Sequence, residues 1–185
     1  HGRASARFDW FLLPAASAFL LNAAVAHLFV DVTPMPLVWV VLLSAFLLSY
    51  VVGFSPAGER RLGAWCGLAG VAFAGAAVAS GMWGTGSFYP NAAAAMALVF
   101  FVGVVLHGWL YAGRPETARL TRYYLTIAAG GAAGGLLASL AAPLVFKGVT
   151  EYPLALWVCV LLVAWRMPKP DFLARSTVRT AVFVS

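Results

Sequence analysis

Few side chains in this sequence can do chemistry, and most of those that can stand alone. His27 and Asp31 are four residues apart, so on a continuous helix they share a face and can hydrogen-bond or pair as ions. Such a pair could hold a proton or a cation. The plainer alternative has Asp31 ending the helix at an interface with His27 satisfied against it. His107, followed by Gly108, could ligate a metal or a pigment, or serve as a hydrogen-bonded structural residue. The acids Asp9, Asp31, Glu59, Glu116, Glu151 and Asp171 are dispersed along the chain. With no carboxylate pair, no nucleophile beside a base and no phosphate loop in the sequence, neither catalytic residues nor a metal site is expected.

The densest pattern is Ile127-Ala128-Ala129-Gly130-Gly131-Ala132-Ala133-Gly134-Gly135. Gly130 with Gly134, and Gly131 with Gly135, make two overlapping small-xxx-small repeats, which remove bulk from a helical stripe and let a neighbouring backbone come close. Ala138 and Ala142 prolong the stripe. A dinucleotide-binding loop would need a preceding strand and a Gly-x-Gly-x-x-Gly spacing, and neither is present. Close helix packing is therefore expected at all four glycines, so Gly131→Leu and Gly134→Leu should both disrupt it. A hinge is the alternative, since glycine-dense helices of transporters can break near the midplane. Pro143 would bend the helix in either case.

The elements that must carry these residues follow from composition. The chain has 185 residues, of which 63% are hydrophobic and 10% charged, against about 45 to 50% apolar and about 25% charged in a soluble domain. With a mean hydropathy of +0.90, the chain is expected in a bilayer, and a soluble enzyme, a disordered tail and a disulfide scaffold are excluded. About 20 apolar residues cross a hydrocarbon core as a helix, and six uncharged runs qualify, at about 10–30, 37–54, 64–83, 91–111, 123–146 and 153–165. The last is short, covering roughly 20 Å at helical rise. The expected fold is an all-α, polytopic transmembrane bundle in one domain over 1–185, and it is expected to be one piece of a longer protein.

Charge orients the spans. Arg3, Arg7, Arg60, Arg61, Arg114, Arg119, Arg122, Arg166, Lys169, Arg175 and Arg179 fall on one side, leaving only Lys147 of the twelve basic residues on the other. The positive-inside rule then places both termini in the cytoplasm, as for a bacterial-type inner membrane protein. Trp and Tyr cluster at the proposed span ends, where their amphipathic rings favour the interface. The net charge of +6 is thereby accounted for by topology and attraction to anionic lipid, and nucleic-acid binding is not expected. The depths also bear on the lone groups. His27 and His107 fall at opposite depths, which disfavours a shared haem, and a pigment at either histidine is an unfavoured cofactor. Cys66 and Cys159 differ in depth too, and with no Cys-x-x-Cys or Cys/His cluster neither a disulfide nor zinc is expected.

Several runs resemble a known family. His27-Leu28-Phe29-Val30-Asp31 followed by Pro36-Leu37-Val38-Trp39-Val40, then His107-Gly108 with Arg114-Pro115, then Thr121-Arg122-Tyr123-Tyr124-Leu125 leading into the glycine block, and Ala142-Pro143-Leu144-Val145-Phe146 with Glu151-Tyr152-Pro153-Leu154-Ala155-Leu156, resemble the membrane region of fused major-facilitator/spermidine-synthase proteins. The resemblance implies a multi-span membrane region that accompanies a cytoplasmic Rossmann-type catalytic domain, and that domain is absent from this chain. Trp109, Arg122 and Ala138 stand where the family has two acidic residues and an Asn. Each replacement removes a group that could hold a cationic substrate, which weakens polyamine transport as a function.

The sequence therefore suggests a non-catalytic membrane domain or scaffold that packs against further membrane helices or subunits. An accessory subunit of a respiratory or photosynthetic complex and a transporter half are the alternatives.

Overall fold

The computed structural model describes residues 2–29, 36–82, 88–141 and 151–166, and every regular element among them is helical. They are α1 (Gly2–Phe29), α2 (Pro36–Gly53), α3 (Pro56–Arg60), α4 (Leu62–Met82), α5 (Phe88–Ala112), α6 (Leu120–Leu136) and α7 (Glu151–Arg166). A 3-10 turn, Thr117–Arg119, leads into α6, and a π turn, Leu137–Ala141, prolongs it. Uncharged runs of Ala, Leu, Val and Gly take this form because a helix satisfies its backbone polar groups within the segment, as lipid requires.

Four stretches are long and apolar enough to cross a membrane: Phe8–Leu28, Leu62–Ala79, Phe88–Ala112 and Thr117–Leu140. Leu37–Gly53 and Tyr152–Arg166 are apolar but shorter, and they coincide with the second and sixth expected spans. Two local differences have identifiable causes. Ser55-Pro56-Ala57-Gly58 reads as a plain turn in sequence, yet it opens α3, because Ser55 Oγ accepts from Gly58 N at 3.1 Å and Pro56 takes the first helical turn, where its missing N–H costs nothing. Pro14 lies inside α1, so the ladder loses one donor there. Pro143, Ala142 and the end of the expected fifth span lie outside the described residues.

α1 and α5 are the centre of the bundle. α1 packs most extensively on α6, and also on α5 and α7; α5 packs on α2, α4 and α1. Leu13, Leu20, Leu98, Val105, Leu106 and Leu110 are buried between them. α7 runs antiparallel to α1, with Arg166 bonded to Asp9 at 2.9 Å, Cys159 against Ala16, and Tyr152 stacked on His27. α6 runs parallel to α1, with Gly130 against Phe11 and Gly134 against Ala15. One end of the bundle gathers polar contacts: Trp10 Nε1 donates to Gly113 O at 3.1 Å, Tyr123 Oη to Leu110 O at 2.7 Å, and Arg114 pairs with Glu59 at 3.7 Å. Leu37, Val51, Val71, Leu125 and Leu161 face outward. In water each would leave roughly 1.5 to 3 kcal/mol of burial unrealised, whereas against lipid tails it loses nothing.

The four glycines of α6 divide. A Cβ at Gly130 would run into the Phe11 carbonyl and one at Gly134 into the Ala15 carbonyl, while at Gly131 it would meet nothing within 4 Å and at Gly135 only Asn22 at 3.9 Å. Successive helical residues point about 100° apart, so only one of the two overlapping repeats can face α1. The expectation that Gly131→Leu disrupts packing is corrected accordingly. Ala138 continues the packed stripe and is buried. Steps of four residues drift around a helix of 3.6 per turn, and the wider π turn that begins at Leu137 takes out part of that drift.

Candidate functional site

Of the polar residues buried among the described ones, Ser17 and Ser49 converge on His107, while Asn91 lies near the other end of α5. α2 and α5 run parallel there, and glycines let them touch. A Cβ at Gly53 would lie 2.7 Å from His107 Cβ, and one at Gly103 would collide with Ser49 Oγ. The missing side chains make the space in which the imidazole and the serine sit.

His107 is fully buried. Its Nδ1 lies 3.1 Å from Ser49 Oγ on α2, and its Nε2 lies 3.2 Å from Ser17 Oγ on α1. Tyr50 stacks on the ring with centroids 3.5 Å apart and planes 21° from parallel, and Phe46 meets it edge-on at 5.6 Å. Both serines also reach backbone carbonyls, Ser17 donating to Pro14 O at 3.0 Å and Ser49 to Phe46 O at 2.6 Å. A hydroxyl has one hydrogen, so when both serines donate to carbonyls the ring must donate from both nitrogens and carry a charge. Among the described residues no carboxylate touches this ring, and an uncompensated buried charge is costly. The ring is therefore neutral, and one serine turns its hydrogen from the carbonyl to the bare ring nitrogen.

Both ring nitrogens are thus engaged by helices on either side. A haem iron or a pigment magnesium at His107 would have to displace Ser17 or Ser49. The node ties α1, α2 and α5 together at the place where three apolar helices would otherwise meet with no directional contact.

The other expected residues lie elsewhere. His27 is half-buried and stacks on Tyr152, with centroids 4.3 Å apart and planes 9° from parallel. It belongs to the opposite end of the bundle, where Leu28, Leu37 and Phe88 meet around one cavity. Asp31 lies outside the described residues. Gly130 and Gly134 form the α6 seam against α1 and have no part in the polar node. Among the described residues there is no group of three or more His, Cys, Asp or Glu side chains that could hold a metal. Cys66 and Cys159 are free and buried, and both line one cavity between α4 and α7.

Sequence reasoning missed Ser17, Ser49 and Tyr50, and also the Asp9 to Arg166 pair. The available signal was their polarity within apolar runs, since a hydroxyl in a span needs a partner. Trp109, one of the positions that departs from the resembled family, lies under the Arg166 guanidinium, 5.7 Å from carbon to ring centroid.

Comparison with protein-family models, with curated proteins and with solved structures finds no match.

Proposed function

We propose that this chain is a non-catalytic integral membrane scaffold. It crosses a bacterial-type inner membrane six times with both termini in the cytoplasm, and it packs against further membrane helices or subunits. The observation that carries this reading is the closed state of its buried polar node. His107 has no exposed surface and both its nitrogens are occupied by serines of other helices, so the node joins helices and presents no group to a substrate. The six-span topology is supported by the two shorter apolar helices, Leu37–Gly53 and Tyr152–Arg166, and by the basic residues at the bundle end shared by Asp9, Glu59, Arg114 and Arg166.

Kinship with the membrane region of spermidine-synthase fusion proteins belongs to the same proposal and rests on the motif runs alone. Aminopropyl transfer by this chain is not part of it. That reaction needs a base and an acidic, concave pocket, and Asp9 and Glu59 are each engaged with an arginine.

The accessory-subunit reading is favoured by one observation. On α4, a Cβ at Gly63, Gly67, Gly70 or Gly75 would meet nothing within 4 Å, which leaves a face where another helix could approach closely. The test is the native mass and the co-purifying proteins of the gently solubilised chain. A stable partner supports the scaffold; a partner-free chain that transports a solute in vesicles overturns it. Topology is tested separately by cysteine labelling from outside. Reaction at Ser87→Cys and Thr150→Cys with none at Ala57→Cys, an exposed position on α3, is expected, and the reverse pattern inverts the orientation.

A further inference from the structure

A groove of about 190 Å³ runs between α4 and α7, with Val102 of α5 as its floor. Cys66 and Gly70 line one wall and Cys159 and Val163 the other, and the lining is almost wholly apolar. Phe73 and Trp157 meet at 6.2 Å beside it. α4 and α7 are antiparallel here, since Phe73 pairs with Trp157 while Cys66 shares the groove with Val163. Arg166 therefore falls level with the first turn of α4, at the basic end of the bundle.

That end has unused donors. Arg166 Nη2 is bonded to Asp9 at 2.9 Å, yet its Nη1 is buried without an acceptor, and so is Trp65 Nε1 beside Cys66. Arg60 and Arg61, which immediately precede α4, are exposed. A guanidinium has five N–H groups in a fixed fork, and a single carboxylate satisfies only part of it. The Arg166 side chain is 32% exposed, and an anionic oxygen is the strongest acceptor for the exposed part of such a fork. An apolar groove that leads to exposed arginines, Arg60 and Arg61, which no carboxylate pairs with among the described residues, has the chemistry of a lipid with an apolar chain and an anionic head.

We propose that the groove between α4 and α7 binds an anionic phospholipid, with one acyl chain lying over Val102 and the phosphate at the basic end beside Arg166 and the Arg60 and Arg61 pair. The assignment rests on the membrane reading above, which sets that end at a leaflet surface where anionic lipid is abundant. Charge selects this occupant: a zwitterionic lipid or an apolar helix could fill the groove but would bring no net negative charge to Arg60 and Arg61.

Native mass spectrometry of the detergent-solubilised chain, titrated with phosphatidylglycerol or phosphatidylcholine, tests the proposal. The chain should retain phosphatidylglycerol in preference to phosphatidylcholine. Gly70→Leu fills the groove from α4, and its Cβ enters open space, so the variant should keep its helix content and lose the retained lipid. Equal retention of the two lipids, or undiminished phosphatidylglycerol on folded Gly70→Leu, overturns the site. If the chain fails to float with vesicles in a density gradient, the membrane reading falls, and the site with it.

Discussion

Two helices carry glycines at helical spacing, and their surroundings are opposite. On α6, Gly130 and Gly134 lie against the backbone carbonyls of Phe11 and Ala15, so α1 approaches as closely as two helices can. On α4, Gly63, Gly67, Gly70 and Gly75 face open space. Gly63 and Gly67 repeat the four-residue step of Gly130 and Gly134; what differs is the partner. α1 runs parallel to α6 and offers carbonyls four residues apart, which match glycines four residues apart. No described helix offers α4 such a match, although Gly70 borders the same groove as the buried Cys66 and Ala69. A small-residue repeat therefore permits close approach without specifying it, and the second helix decides whether the permission is used.

Substitutions sharpen this contrast. Gly134→Leu should have the largest effect, a loss of about 3 kcal/mol, because its side chain would start inside the space of the Ala15 carbonyl and only backbone movement relieves that. Thermal unfolding in mild detergent measures it, and an unchanged midpoint would show that the α1 to α6 seam is not close-packed.

His107→Ala comes next, at about 2 kcal/mol, from the cavity beneath Tyr50 and the lost bonds to two serines. His107→Phe should recover most of this. The apolar ring keeps the stacking, and both serine hydrogens can return to the Pro14 and Phe46 carbonyls. Equal losses for the two variants would mean that the hydrogen bonds, and not the ring volume, hold the three helices.

Asp9→Asn should cost about 1 kcal/mol or less, since the pair with Arg166 is partly solvated, with side chains 32% and 23% exposed. Its loss should shrink further in high salt, and a salt-independent loss would count against an ionic origin. Smallest of all, Gly67→Leu and Gly131→Leu should change stability by no more than about 0.5 kcal/mol, or raise it slightly, since leucine has the better helix propensity. A large loss in Gly67→Leu would reveal that α4 already has a partner in the purified protein, and the contrast between the two helices would fail.

Much of the helical layout was legible, because uncharged runs of about 20 residues leave a lipid-bound chain little other choice. The short α3 was legible in principle from Ser55 and Pro56, a cap followed by a proline at the first turn, but the same residues also write a turn. Which glycine pair packs could not be read. The 130/134 and 131/135 repeats are equivalent as strings, and only the direction from which α1 arrives separates them. The polar node was hidden for a related reason. Ser17, Ser49 and His107 are far apart in sequence and follow no common period, so their meeting depends on the parallel pairing of α2 with α5 and on Gly53 and Gly103 admitting it.

The central place of α1 has a consequence for the order in which the bundle can be assembled. α1 is synthesised before the helices that surround it, yet its contacts are with α5, α6 and α7. Until those emerge, Asp9 lacks Arg166, Ser17 lacks His107, and the Phe11 and Ala15 carbonyls have no glycine seam to seat against. Early in synthesis α1 is then an apolar helix with a proline inside it and without the three helices it packs on most. Loop closure across more than a hundred residues makes its docking late and slow, and a ribosome stalled after α4 should leave α1 exposed to membrane chaperones and proteases that recognise unpaired polar groups.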